Sequence, residues 1–113
     1  MDDKTTSLME LRDLIASFIE ERQWQQFHTP KNLAMSVAIE AAELMELFQW
    51  SGEQEVDEEK LARVREELAD VVIYCLAMAN TLDIDLSQAV RDKVVANGKK
   101  YPVESYKGRY SLK

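Results

Sequence analysis

The sequence predicts an all-α fold, a bundle of four helices within a single domain spanning residues 1–113. Three observations predict it. Apolar residues recur at the three- and four-residue spacing of a helix face, no stretch alternates like a half-buried strand, and Gly52, Gly98, Gly108, Pro30 and Pro102 fall between the periodic runs.

Ser7 is placed to cap a first helix, with Glu10 three residues on in a capping-box arrangement. Leu8, Leu11, Leu14, Ile15, Phe18 and Ile19 form its apolar stripe, which ends near Arg22. The polar stretch 23–29 carries Trp24 and Phe27, unusual in a plain linker. Pro30 suits the first turn of a second helix running to about residue 50. Apolar residues cover almost its whole circumference, which predicts burial on most sides. A polar loop over 51–57 leads to a third helix over about 58–82, charged in its first half and apolar in its second. Asp85 is placed to cap a short fourth helix that ends at Gly98, with Leu86, Ala89, Val90, Val94 and Val95 facing inward. The tail after Tyr101 and Pro102 is expected to be extended or ordered only by contact.

Composition narrows the function. The net charge is −7, yet six of the fourteen Lys/Arg and only one of the 21 Asp/Glu lie from Lys93 onward. An acidic body argues against a nucleic-acid polymer as partner. The basic tail, about residues 98–113, suits small polyanions such as phosphates or is simply solvated. Cys75 is the only cysteine, which excludes an intrachain disulfide and a cysteine metal site. No leader is read ahead of the first helix, and the longest apolar stretch, 68–79, is interrupted by Asp70 and too short to span a bilayer. A soluble, cytoplasmic protein with no membrane contact is expected.

Two acid pairs carry the chemistry: Glu40 with Glu43, and Glu67 with Asp70. Acids three apart on a helix lie roughly 60° around from each other and can point at one spot. Their neighbours are nearly all apolar. Burying four carboxylates together costs several kcal/mol per ion unless a cation compensates them. A divalent metal is the simplest such cation; a solvated stripe that happens to repeat is the bland alternative. At about 100° per residue, Ser36, Glu40, Glu43, Leu47 and Trp50 fall within about 80° of one another. Glu67, Asp70 and Tyr74 form a comparable stripe, so each acid pair has an aromatic one or two turns beyond it. Carboxylate oxygens suit Mg²⁺, with Mn²⁺ also admissible, and leave positions for water and phosphate.

Other sites are excluded. Di-iron bundles need Glu-x-x-His pairs, and His28 is the only histidine. No nucleophilic triad and no glycine-rich phosphate loop is visible. Phosphates would be held by metal and by Lys or Arg.

Glu-x-x-Glu on one helix and Glu-x-x-Asp on the next resemble the signature of the all-α, MazG-like nucleoside triphosphate pyrophosphohydrolases. The stretches Glu21-Arg22-Gln23-Trp24-Gln25-Gln26-Phe27-His28, Pro30-Lys31-Asn32-Leu33 and Glu46-Leu47-Phe48-Gln49-Trp50 are similar to the branch holding the dCTP pyrophosphatases. So are Glu66-Glu67-Leu68-Ala69-Asp70-Val71-Val72-Ile73-Tyr74 and Lys99-Lys100-Tyr101-Pro102, and the resemblance covers about residues 8–102. It implies that Glu40, Glu43, Glu67 and Asp70 hold Mg²⁺, and that Trp24, His28, Trp50 and Tyr74 line a nucleotide pocket. It places Lys93, Asn97 and Lys100 near the phosphates. It also implies a dimer whose helices complete each other's sites, commonly paired again into a homotetramer.

The implied reaction is Mg²⁺-dependent hydrolysis of a (d)NTP, with dCTP or a related deoxynucleotide favoured, to the monophosphate and pyrophosphate. Its role would be house-cleaning of the nucleotide pool. Glu43 or Glu40 would take the proton of the attacking water. The sequence departs from the family at one point: animal dCTP pyrophosphatases carry a first-helix histidine in the base pocket where Ile15 stands here, so strict cytosine specificity does not carry over. Two rivals stand beside this reading. One is a sibling enzyme acting on dUTP or phosphoribosyl-ATP; the other is a non-catalytic helical oligomerisation or nucleotide-sensing module.

Overall fold

In the computed structural model, which describes residues 1–52 and 55–109, the chain is helical with no strand among the described residues. It divides into two compact units, residues 1–83 and 84–113.

The first unit holds α1 (Leu8–Glu21), a single 3₁₀ turn (Gln25–Phe27), α2 (Pro30–Glu46) and α3 (Glu58–Thr81). Each α-helix starts where a side-chain oxygen takes an otherwise unpaired amide. Ser7 Oγ accepts from the Glu10 amide at 3.1 Å and also meets the Glu10 carboxylate at 3.4 Å. Thr29 Oγ1 accepts from the Asn32 amide at 3.2 Å, with Pro30 in the first helical position. Asp57 Oδ1 accepts from the Lys60 amide at 2.8 Å, and Glu58 and Glu59 favour the positive end of the α3 dipole.

The first helix closes in a Schellman corner. The Gln23 amide donates to Glu20 O at 2.9 Å and the Trp24 amide to Ile19 O at 3.1 Å. Gln23 sits at φ 53°, in the left-handed region that glycine usually fills. Asn32 Nδ2 then donates to Phe27 O at 3.0 Å, which ties the aromatic linker to the start of α2.

The second helix is shorter than its periodicity predicts. It ends at Glu46, and the amides of Leu47, Phe48 and Gln49 each reach back only three residues. The last turn has tightened to 3₁₀ geometry, so Trp50 lies beyond the regular helix. Of the loop expected over 51–57, residues 53 and 54 lie outside the described residues, as do 110–113 of the basic tail.

Both α1 and α2 pack against α3, which runs for 24 residues, roughly 36 Å. The buried apolar core is small: Ile15 from α1, Leu33 from α2, and Leu76, Ala77 and Ala79 from α3. Leu33 and Leu76 are each only 1% exposed. Arg12 is also buried, and its Nε donates to Asn80 Oδ1 at 2.9 Å while Asn80 Nδ2 donates to Arg12 O at 3.0 Å. This reciprocal pair pins α1 to α3. The expectation that α2 is buried on most sides does not hold within one chain, because only Leu33 is fully covered and Met35, Ile39 and Met45 are exposed.

The second unit holds α4 (Leu86–Lys100) and α5 (Val103–Tyr106). Asp85 Oδ1 accepts from the Gln88 amide at 3.0 Å, as expected of a cap. The fourth helix does not stop at Gly98. It continues to Lys100, a Gly in a helix interior costing only about 1 kcal/mol against Ala. The segment after Pro102 forms one further turn, held by edge-to-face packing of Tyr101 and Tyr106 at 5.1 Å. No helix among the described residues is long and apolar enough to cross a membrane.

Two stability outcomes follow from these contacts. Asn80→Ala removes both bonds to the buried Arg12 and is expected to lower unfolding free energy by about 1–3 kcal/mol in denaturant titrations. Gln23→Gly relieves the left-handed residue at the corner and is expected to raise it by roughly 0.5–1 kcal/mol in the same measurement.

Candidate functional site

The acid pairs meet where α2 packs on α3. One carboxylate oxygen each from Glu40, Glu67 and Asp70 lie within 4.8 Å of one another, and all three residues are half-buried. Glu43 is more exposed, and its side chain comes within hydrogen-bonding reach of both Glu40 and Glu67. Lost solvent, then the Glu43 hydrogen bond, then the charges of Glu43, Asp70 and Glu67 push the Glu40 carboxyl up to about 7. Glu67 is raised by the same influences in the same order: burial, Glu43, then the neighbouring acids. Glu40 Oε2 and Glu67 Oε2 are buried with no hydrogen-bond partner. An orphaned oxygen on each side of a like-charged cluster is the arrangement a divalent cation satisfies. The donor set, all carboxylate oxygen, is hard and fits such an ion.

Beside the acids, α1 and α3 enclose a groove of about 770 Å³ with a mostly apolar wall. Ile15 and Phe18 line it from α1, Trp24 and His28 from the linker, and Asp70 and Tyr74 from α3. Asp70 therefore belongs to both the acid cluster and the groove. The His28 and Tyr74 rings lie 6.4 Å apart, and His28 Nδ1 is a buried atom without a partner. Few fixed polar groups and extended aromatic surface suit a planar ligand recognised mainly by stacking.

Not every predicted site residue joins this assembly. Trp50 is 89% exposed and lines a separate pocket of about 470 Å³ with Glu46, Gln49, Ser51 and Arg63. Lys93, Asn97 and Lys100 follow one another at helical spacing on one face of α4, in the second unit. The spacing of its residues predicts an apolar stripe on α1. In the structure much of it is groove wall, with Leu14 and Phe18 exposed in the single chain. The Phe18 and Arg22 pair, four apart at the end of α1, was the available signal that this face does more than pack.

Comparison with known proteins points the same way. The sequence profile of the MazG-like family matches residues 35–111. The dCTP pyrophosphatase 1 of Mus musculus is 42% identical over 107 residues, which is 90% of this chain and 63% of that protein. The Homo sapiens protein of the same name is 42% identical over 101 residues, 85% of this chain and 59% of its own length. The chain thus spans about three fifths of the length of these relatives. A pyrophosphatase crystal structure from Archaeoglobus fulgidus aligns with a TM-score of 0.76 at 40% identity, over 90% of this chain and 98% of that one.

The raised Glu40 and Glu67 carboxyls give the cation-free fold a definite pH dependence. A folded-state pKa above the ordinary value means the folded chain binds extra protons. Stability from these groups is complete below the usual carboxylate range and is lost as pH rises toward about 7. Thermal melts in chelator are expected to fall between about pH 5 and pH 8. Added divalent cation should reverse the fall, with a larger shift at the higher pH.

Proposed function

The chain belongs to the MazG-like family, and from that we propose that it is a divalent-cation-dependent nucleoside triphosphate pyrophosphohydrolase. It cleaves a deoxynucleoside triphosphate, dCTP or a close relative, to the monophosphate and pyrophosphate. The observation that carries this reading is the continuity of acid cluster and aromatic groove through Asp70. A nucleotide has that same division, a planar base at one end and a polyanion at the other.

In this mechanism the base lies in the groove against Trp24 and Tyr74, and His28 offers its unpartnered Nδ1 to the base edge. Glu40, Glu43, Glu67 and Asp70 hold the cation, with Mg²⁺ as the physiological ion and Mn²⁺ a substitute. When bound, that ion neutralises phosphate charge and lowers the pKa of a coordinated water. Glu43, the most exposed of the four acids, is assigned the proton of the attacking water, with Glu40 beside it as the other carboxylate able to take it. Water oxygen bonds to the α-phosphorus, the α–β bridging bond breaks, and pyrophosphate leaves. The family resemblance, and not their position relative to the acids, supports Lys93, Asn97 and Lys100 as phosphate contacts. Ile15, an apolar residue in the groove, gives the base no hydrogen bond, which supports tolerance among deoxynucleotides.

The exposed apolar residues of α2, Met35, Ile39 and Met45, support a second copy of the chain as their cover, in a homodimer or a homotetramer. The work of such an enzyme would be to remove surplus or modified dNTPs in the cytoplasm.

Incubation with a panel of NTPs and dNTPs and Mg²⁺ is expected to yield monophosphate and pyrophosphate in equal amounts, with dCTP among the best substrates. Orthophosphate as the first product would exclude cleavage at the α-phosphorus, and no turnover on any nucleotide would favour a sensing module. Glu43→Ala is expected to cut kcat by roughly a hundredfold or more while far-UV circular dichroism stays helical.

A further inference from the structure

Arg22 does not line the groove, yet it is hydrogen-bonded to Phe18 and lies within cation–π range of Trp24, two residues that do. Its guanidinium carbon sits 3.7 Å from the Phe18 ring centroid and 6.0 Å from that of Trp24. Phe18 and Trp24 meet edge to face at 5.9 Å, with 74° between their planes. Arg22 Nη1 donates to Phe18 O at 3.0 Å, which fixes the guanidinium against the helix end, and the Glu21 carboxylate lies 3.6 Å away. Phe18 and Trp24 both line the groove, whereas Arg22 does not.

A simpler role for Arg22 is to offset the negative end of the α1 dipole and to pair with Glu21. That role needs a positive charge and nothing more. The guanidinium carbon lies close over one ring and within cation–π range of a second, and a flat, delocalised cation serves two rings in a way that a compact ammonium does not. Trp24 has need of such a support. It follows a left-handed residue at a chain corner and keeps 44% of its surface exposed.

We infer that Arg22 is a positioning residue for Trp24: it holds the indole upright as the wall against which the nucleobase stacks. The inference rests on the proposed function, since it takes the groove as the base site. A pre-set wall lowers the ordering cost of binding, so the effect belongs to base affinity and not to the phosphate chemistry.

The test compares wild type, Arg22→Ala and Arg22→Lys. Arg22→Ala is expected to raise KM for dCTP by roughly two- to fivefold with kcat unchanged. Inhibition by inorganic tripolyphosphate, which has phosphates and no base, should stay the same. In a Trp50→Phe background, which leaves Trp24 as the reporting indole, Arg22→Ala should red-shift the fluorescence and increase acrylamide quenching. Arg22→Lys keeps the charge and loses the plane, and should resemble Arg22→Ala. The inference is overturned if Arg22→Lys restores wild-type KM, if Arg22→Ala leaves KM and fluorescence unchanged, or if tripolyphosphate inhibition weakens in step with KM. A wild-type protein that hydrolyses no dNTP overturns the proposed function itself, and this inference with it, a result distinct from an active wild type with indifferent variants.

Discussion

Mutual repulsion among four carboxylates is the constraint around which this structure is arranged. Nothing local draws Glu40, Glu67 and Asp70 together; left to themselves their charges would separate. They converge because α2 packs on α3, which brings their like charges together. The raised Glu40 and Glu67 carboxyls record it. A bound cation would relieve the same crowding that destabilises the bare fold.

The third helix organises everything else in the first unit. It receives α1 on one side and α2 on another, and it contributes to the core, the acids and the groove at once. Because α1 is pinned to it through Arg12 and Asn80, the groove between them has a defined width. The core itself is modest for so many apolar residues. Leu14, Phe18, Leu68 and Val72 remain exposed along the groove, and Met35 and Ile39 on α2.

The starts of α1 to α4 were legible in the sequence, from Ser7 and Asp85 as caps, Pro30 as a first-turn residue and the polar loop that ends at Asp57. Thr29 and Asp57 cap in the same way; the turn after Pro102 has no side-chain cap and was not legible. Helix ends were less legible than the starts. The tightening of α2 after Glu46 and the passage of α4 through Gly98 are settled by small energies that spacing does not display. The acids were legible because a spacing of three fixes a common face whatever surrounds it. Trp50 leaves the stripe of Glu40 and Glu43 for the converse reason: the angular argument that aligned it with Glu43 ends where the regular helix ends. The groove was hidden in the α1 stripe, since apolar residues at helical spacing look alike whether they face a core or a ligand. The expected burial of α2 is not met because an apolar circumference says nothing of what packs on it, and only Leu33 is buried here.

The sharing of Asp70 and Tyr74 by one uninterrupted helix has a geometric consequence. The acid and the aromatic are four residues apart on α3, about 6 Å along its axis. That interval is set by the pitch of the backbone, so it cannot stretch or slip as a loop-borne site can. For the proposed nucleotide, the helix would act as a gauge of ligand length: the resting place of the base would decide which phosphorus reaches the acids.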